Sequence, residues 1–371
     1  MLLRREALQE VSKLILQAVD TNGISDIVDT LELKVVGTEL IMCVTNKEYF
    51  VEVKVPVTEE SDLHATVNAN LFLKLIAQIT TDTIELTTEN STLFVKGNGT
   101  YKIPLIYDNE KLFELPRITI NNPTTNFKIK SSIFHSINNF NSKELTKGLA
   151  SRPVQKLYYI DEKGCITFTT GACVNTFELP QPIKFLLNAR VVKLLKLFNT
   201  EEVDFTLGID QTDSGLFQTK VEFKNPTITL TTILVGDNEL VNSVPADAIR
   251  GRAESVYPYS VIINRKFLLE ALSRLLLFTN ATTLKSYSKL IFGPNSVTIN
   301  AVDSDNKEEI PYTNACEALS DNYTAILDLI DLKLTLDNCT DEFVTLNFGD
   351  ETAFVMVRHN IKNVIPECSE G

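Results

Sequence analysis

The chain has 371 residues, 44% hydrophobic and 22% charged, with 14 Gly and 13 Pro, a composition that excludes disordered and fibrous classes. Its 35 Lys and Arg against 48 Asp and Glu leave a net charge of −13, which excludes a uniform basic coat for nucleic acid. At roughly 100–150 residues per domain, the length divides most naturally into three pieces, each large enough to bury a core.

The opening segment, MLLRREALQEVSKLILQAVD, breaks its apolar residues with charge every few positions. It reads as an amphipathic helix over 4–20 rather than a leader peptide, so the chain is expected in the cytoplasm. β-rich runs follow, LELKVVGTELIMCVT and YFVEVKVPV, then a helix over 68–79. Gly97-Asn98-Gly99 lies between two further strand runs and reads as a hairpin turn. A weaker helix is expected over 130–147, strands in KLYYIDEKGCITFTTG, and a helix over 188–198. The last third carries helices over 264–278 and, more weakly, 328–338, and strands in EFVTLNFGDETAFVMV. Three helices start alike, at Val67-Asn68, Leu187-Asn188 and Ile263-Asn264, where Asn can take up an orphan backbone N–H.

Helix spacing reveals a repeat. First helices start near 4, 130 and 264, and second helices near Asn68, Asn188 and Asp328. Segments 101–116 and 228–245 both run from a strand through an acidic turn to an apolar-Pro stop. The expected organisation is α+β, three copies of one unit, with domains at 1–121, 122–252 and 253–371. Such a period is a domain duplication, longer than the roughly 20–50 residues of solenoid units.

Catalytic motifs are absent: no phosphate loop, no nucleophile elbow and no H-E-x-x-H. Cys43, Cys165, Cys173, Cys316, Cys339 and Cys368 form no C-x-x-C pair, and His64, His135 and His359 are dispersed, so neither a metal nor a cofactor is expected. Asp303, Asp305, Glu308 and Glu309 read as a solvated loop, and His135 as a helix-face residue. The N-x-S/T matches at Asn90, Asn98, Asn280, Asn322 and Asn338 reflect chance in an Asn- and Thr-rich chain. No run approaches the roughly 20 apolar residues needed to span a bilayer.

Charge is segregated rather than uniform. The six helical segments carry 14 Lys and Arg against 8 Asp and Glu, a balance of +6, and the remainder carries −19. In 188–198, Val191, Leu194, Leu195 and Phe198 form a stripe while Arg190, Lys193 and Lys196 recur every three residues; in 264–278, Phe267, Leu268, Ala271, Leu275 and Phe278 oppose Lys266 and Arg274. Such helices would pack on a sheet and present basic faces to an anion, and sequence-independent phosphate contact needs nothing more.

The segment Ala150-Ser151-Arg152-Pro153-Val154, followed by KLYYIDEKGCITFTTGACV, resembles the middle domain of the bacterial replicative sliding clamp, the beta subunit of DNA polymerase III. There an Arg-Pro or similar pair opens the domain and a T-D-G-H-R-L-type turn follows; here the turn is Thr169-Thr170-Gly171-Ala172-Cys173-Val174. Leu277-Phe278-Thr279-Asn280 matches the apolar pair and Ser/Thr-Asn that end the first helix of the family's third domain. Ala172 and Cys173 replace the usual His and Arg, and the tail runs past the usual end, a divergence that suits a phage-encoded or otherwise remote member. The resemblance implies a homodimeric ring of six domains, with sheets outside and helices inside, encircling duplex DNA and tethering a polymerase without enzymatic activity.

It also implies sites. Arg4, Arg5, Lys13, Lys74, Lys130, Arg190, Lys193, Lys196, Arg265, Lys266 and Arg274 would face DNA. Tyr101 and Ile103 in one chain and Leu277 and Phe278 in the other would meet at the subunit interface. Polymerase and clamp loader would insert short linear peptides into a groove of Arg152, Gln155, Thr169, Gly171, Cys173, Val174, Val241, Val244, Met356 and Val357. Gln155 stands where the family usually has an apolar residue. Matching Ala353–Val357 to the family's terminal strand keeps the register of the first two domains and is preferred; matching Val364-Ile365-Pro366 instead would put the chain's end in the groove, with Ile365 in reserve. Two rival classes stand beside this reading: a β-rich structural or virion assembly protein in which the basic helices are incidental, and an enzyme with a non-local site.

Overall fold

A computed structural model describes residues 1–19, 27, 29–138, 157–168, 171–212, 214–236, 238–278, 287–302, 304–337, 339–349, 353–358 and 361–367. The chain divides into two compact units, Met1–Phe134 with Lys193–Leu234, and His135–Val192 with Val235–Gly371. Among the described residues the α-helices are α1 (Arg5–Leu16), α2 (Ala69–Gln78), α3 (Ser131–Asn138), α4 (Ala189–Leu194), α5 (Asn238–Asn242), α6 (Ala246–Glu254), α7 (Arg265–Leu275) and α8 (Leu329–Asp337).

The second helices begin where a side chain can replace a missing acceptor. Asn68 Oδ1 accepts from Leu71 N (2.9 Å), Asn188 Oδ1 from Arg190 N (2.9 Å), and Asp328 Oδ1 from Ile330 N (2.9 Å). Asn264 does the same for α7 through Lys266 N and Phe267 N. The first helices share another device: Arg5, Ser131 and Arg265 donate their backbone N–H to the carbonyls of Asp82, Glu201 and Glu342. Each acceptor immediately precedes a strand, Thr83–Glu89, Glu202–Gln211 or Phe343–Phe348. No side-chain pattern signals this junction, and it recurs in every third. Helix α3 is described only to Asn138, so the rest of the helix expected over 130–147 lies outside the described residues.

Unit one holds a four-stranded sheet in the order Leu2–Arg4, Thr83–Glu89, Thr92–Lys96, Thr100–Pro104. Its eight-stranded sheet runs Pro123–Lys130, Glu202–Gln211, Phe217–Lys224, Ile228–Ile233, Tyr49–Pro56, Glu39–Thr45, Thr30–Val36, His64–Asn68. In unit two the eight-stranded order is Lys184–Asn188, Leu157–Asp161, Gly164–Phe168, Ala172–Thr176, Ile361–Pro366, Ala353–Arg358, Phe343–Phe348, Tyr259–Asn264. Its four-stranded sheet is Lys307–Pro311, Ser296–Asn300, Tyr287–Phe292, Tyr323–Asp328. All pairings are antiparallel, and both large sheets are two four-strand groups spliced edge to edge.

The splice obeys one rule. Setting aside the short hairpin Tyr107–Asp108 with Lys111–Leu112, each third contributes eight strands. The eighth strand of a third pairs with the fourth strand of the third before it. Ile228–Ile233 pairs with Tyr49–Pro56, Leu230 opposite Val51, and Ile361–Pro366 pairs with Ala172–Thr176, Asn363 opposite Cys173. The remaining eighth strand, Thr100–Pro104, and fourth strand, Lys307–Pro311, are left as open edges within their own units.

The helices bury one stripe each. Leu8, Val11 and Ile15 of α1 and Phe72, Leu73 and Ile76 of α2 are buried in unit one, and Leu268, Ala271, Leu272 and Leu275 of α7 in unit two. Each such Leu, Ile or Phe contributes roughly 1.5–3 kcal/mol on leaving water. The stripe expected on 264–278 is corrected at its ends: Phe267 and Phe278 are exposed and Leu272 is buried instead. Leu268, Ala271, Leu272 and Leu275 follow the i, i+3, i+4, i+7 spacing of one helical face, and Phe267 falls outside it.

The linker after Thr100–Pro104 is tied down in unit one. Glu32, 1% exposed, accepts from Leu115 N (3.0 Å) and Arg117 Nη2 (2.6 Å), while the Arg117 guanidinium lies over the Phe50 ring. Further along, Asp210 accepts from Asn121 N, Asn122 N and Lys220 Nζ. In unit two, the segment after Ile228–Ile233 was expected to be a loop and instead forms α5 and α6. Both are short and Pro245 stands between them, so no helical periodicity develops in the sequence; the domain boundary expected near 252 falls inside α6.

Candidate nucleic-acid interface and partner groove

Among the basic residues singled out above, Arg4, Lys13, Lys74, Lys130, Arg190, Lys193, Lys196, Lys266 and Arg274 are exposed, and Arg5 and Arg265 are half-buried. The two half-buried ones are engaged in the fold. Arg5 Nη1 donates to Thr80 O (2.7 Å), just past α2, and Arg265 donates to Leu336 O (3.4 Å) in the last turn of α8 and to Asp341 O (2.8 Å). Both satisfy carbonyls that the end of a helix leaves without an acceptor role, which removes them from a purely solvent-facing set. Lys266 approaches Glu270 at 3.9 Å, and Arg274 makes a two-pronged pair with Glu308. Among the described residues, no carboxylate stands within ion-pair range of Lys13, Lys74, Lys130, Lys193 or Lys196. At Leu195–Leu197 the chain tightens into a 3-10 turn, whose three-residue period brings Lys193 and Lys196 into line.

Unit two carries an apolar depression. Val174 packs with Leu157, Tyr159, Ile166 and Leu186, and half-buried Phe168, Ala172, Val241, Val244 and Val364 border the same cluster. Strand Ala172–Thr176 supplies the floor, α5 and the turn after it supply Val241 and Val244, and the terminal strand supplies Val364 opposite Ala172. Helix α6 is fixed to both neighbours: Arg250 binds Asp161 in two-pronged fashion (2.8 and 2.6 Å), and Lys362 Nζ reaches Glu254 at 2.7 Å. Burial, with the nearby Asp161 carboxylate, pushes the Tyr159 phenol up to about 12, so the floor stays neutral. Gly171 allows the approach of the last strand, since a Cβ there would collide with the Val364 carbonyl.

Three expectations for this groove are corrected by strand alternation. Cys173 is 2% exposed and pairs with Asn363, also buried, on the face opposite Val174. Met356 is 0% exposed and belongs to the other core of unit two, with Phe348 and Phe354. The preferred terminal strand, Ala353–Arg358, is followed by another, Ile361–Pro366, which alone of the two touches Ala172–Thr176. Val357 lies one strand removed, opposite Lys362, and Ile365 points into the same core as Met356. Val364 was therefore the residue missed; its signal was the alternation of Asn363, Val364 and Ile365. Arg152, Gln155 and Thr169 lie outside the described residues.

At the open edges, Leu277 is 79% exposed, Phe278 50% and Tyr101 37%, while Ile103 is 2% exposed and belongs to the core. Glu308 and Glu309, expected in a solvated loop, lie on the edge strand Lys307–Pro311. Among the described residues no group of His, Cys, Asp and Glu could hold a metal ion, and no helix is long and apolar enough to cross a membrane.

Comparison with known proteins places this geometry. A family model described as DNA polymerase III beta subunit, N-terminal domain, matches residues 1–115. The structure of the DNA polymerase III subunit beta from Pseudomonas aeruginosa is similar over 100% of both chains, with a TM-score of 0.78 and 16% identity. The beta subunit from Thermotoga maritima matches with a TM-score of 0.77 and 14% identity over 100% of this chain and 99% of that one. The Helicobacter pylori beta clamp bound to a DNA ligase peptide matches with a TM-score of 0.71 and 15% identity, again over 100% and 99%. No curated protein matches the sequence. The chain has the three-domain fold of bacterial DNA polymerase III beta subunits throughout its length.

Proposed function

We propose that this chain, which has the fold of the DNA polymerase III beta subunits, is a DNA sliding clamp: a ring that encircles duplex DNA and tethers a replicative polymerase to it. The splice rule carries the reading. An eighth strand joins the preceding fourth strand twice within the chain, and one of each is left over at Thr100–Pro104 and Lys307–Pro311. Pairing the leftover edge of one copy with that of a second copy, twice, gives a closed ring of six thirds with no sheet edge exposed. Exposed Tyr101, Leu277 and Phe278 lie beside these edges and would be covered on closure.

Inside such a ring, exposed cations including Lys13, Lys74, Lys130, Lys193 and Lys196 meet phosphates, which hold the duplex without reading its sequence. The excess of acidic charge elsewhere keeps the hold weak enough for sliding. The apolar depression bordered by Val174, Val241, Val244 and Val364 takes a short apolar peptide from the polymerase or clamp loader. Tethering replaces bulk concentration with a high local one, so a polymerase that lets go rebinds at the same primer end. The decisive experiment is loading by a matching clamp loader onto nicked circular plasmid, followed by gel filtration. Retention on the circle and release on linearisation is the expected result; equal retention on both forms would mean ordinary binding and would overturn the reading.

A further inference from the structure

Arg274 carries a feature that the other exposed helix cations lack. From the last turn of α7 its Nε donates to Glu308 Oε1 (2.8 Å) and its Nη2 to Glu308 Oε2 (2.6 Å), across 34 residues of sequence. Glu308 stands on the open edge strand, two residues from buried Ile310 and therefore on the same, inward side of that strand. Arg274 lies three and four residues before Leu277 and Phe278, so all three share one side of the helix end. Ion pair, exposed apolar pair and unpaired backbone form one continuous surface.

The two internal splices show what the fold uses at this position when a joint is permanent. Past the last cross-strand pair of each hairpin, Thr45 with Phe50, Phe168 with Ala172, and Asn300 with Lys307, the next residue is Val51, Cys173 or Glu308. Val51 is 0% exposed opposite Leu230, and Cys173 is 2% exposed opposite Asn363. Only the edge that ends the chain's own sheet puts a charge there. An inward-pointing charge on an edge strand is a recognised guard against indiscriminate pairing.

We infer that Arg274 is a positioning residue of the subunit joint rather than a DNA contact: it neutralises and orients Glu308 so that the edge of Lys307–Pro311 can receive a second copy reversibly. The inference rests on the ring reading above. The Arg274 hydrogen bonds hold the Glu308 carboxyl below its ordinary value, so the pair is intact across neutral pH. Loss of the cation alone leaves a carboxylate to be buried unpaired on association, whereas replacing both partners by apolar groups copies the permanent splice.

The test measures the dimer dissociation constant by sedimentation for wild type, Arg274→Gln and the double variant Arg274→Leu/Glu308→Val, with thermal melts to establish folding. Salt dependence of duplex binding is measured in parallel, at concentrations where each variant is dimeric. Arg274→Gln should weaken the dimer at least tenfold, and the double variant should restore or exceed wild-type affinity and lose its salt sensitivity of association. All should bind duplex with the wild-type salt slope, while Lys193→Gln/Lys196→Gln flattens that slope and leaves dimerisation unchanged. A wild-type dimer with an equally tight Arg274→Gln dimer, or an Arg274→Gln salt slope flattened like that of the lysine variant, would overturn the inference alone. A wild-type chain that stays monomeric at every concentration would overturn the ring as well.

Discussion

Asp331 sits in the first turn of α8 with its Oδ2 buried and, among the described residues, without a hydrogen-bond partner. Burial first, and then the nearby Asp328 carboxylate, raise its pKa from 3.8 to about 6. A carboxyl raised in the folded state costs stability while both states are ionised. That cost is recovered as pH falls through about 6 and is absent once pH is below the unfolded value of about 3.9. Asp331→Asn should therefore stabilise the protein by roughly 1–3 kcal/mol at pH 7.5 and by nothing at pH 3.5. Urea titrations at the two pH values check this; an equal gain at both would trace to the amide itself and not to the buried charge.

Strand alternation decides which side chains the groove can use, and it makes a pair of outwardly similar substitutions differ. Val174→Asp and Val364→Asp place a carboxylate in the apolar depression and should abolish binding of a polymerase C-terminal peptide while the protein stays folded, because an unpaired charge in such a pocket costs several kcal/mol. Met356→Asp puts the same group between Phe348 and Phe354 and should unfold the domain instead. Calorimetric titration with the peptide and circular dichroism separate the two outcomes; peptide binding of native strength by Val174→Asp would move the site elsewhere. The same alternation explains what could be read in advance. Asn68, Asn188 and Asn264 marked their helices because a cap is a local device, written in one residue and the next three. The terminal strand was assigned one strand too early because Ala353–Val357 and Val364–Pro366 are both apolar runs, and only pairing with Ala172–Thr176 separates them. Helices α5 and α6 were illegible because their apolar residues face a sheet far away in sequence, with Ile249 and Val241 set against Ile166 and Val174.

On the scale of the ring, the number of phosphate contacts decides how firmly DNA is held. Replacing Arg190, Lys193 and Lys196 with Glu should weaken polymerase stimulation and lower its salt sensitivity without unfolding the chain, since log affinity scales with the number of neutralised phosphates. Primer extension across a salt series reads this, and an unchanged processivity at every salt would remove these residues from the DNA path. The splices also determine how the assembly yields under load. A pull along the perimeter runs across the strands and so along their hydrogen bonds. At Tyr49–Pro56 that pull is shared with the linker pinned by Glu32 and Asp210, and at Ala172–Thr176 with α6, pinned through Arg250 and Lys362. Covalent chain runs in parallel with each of those two ladders. Where Lys307–Pro311 meets a second copy nothing covalent lies beside the ladder, so tension parts one molecule from the other before it parts either from itself.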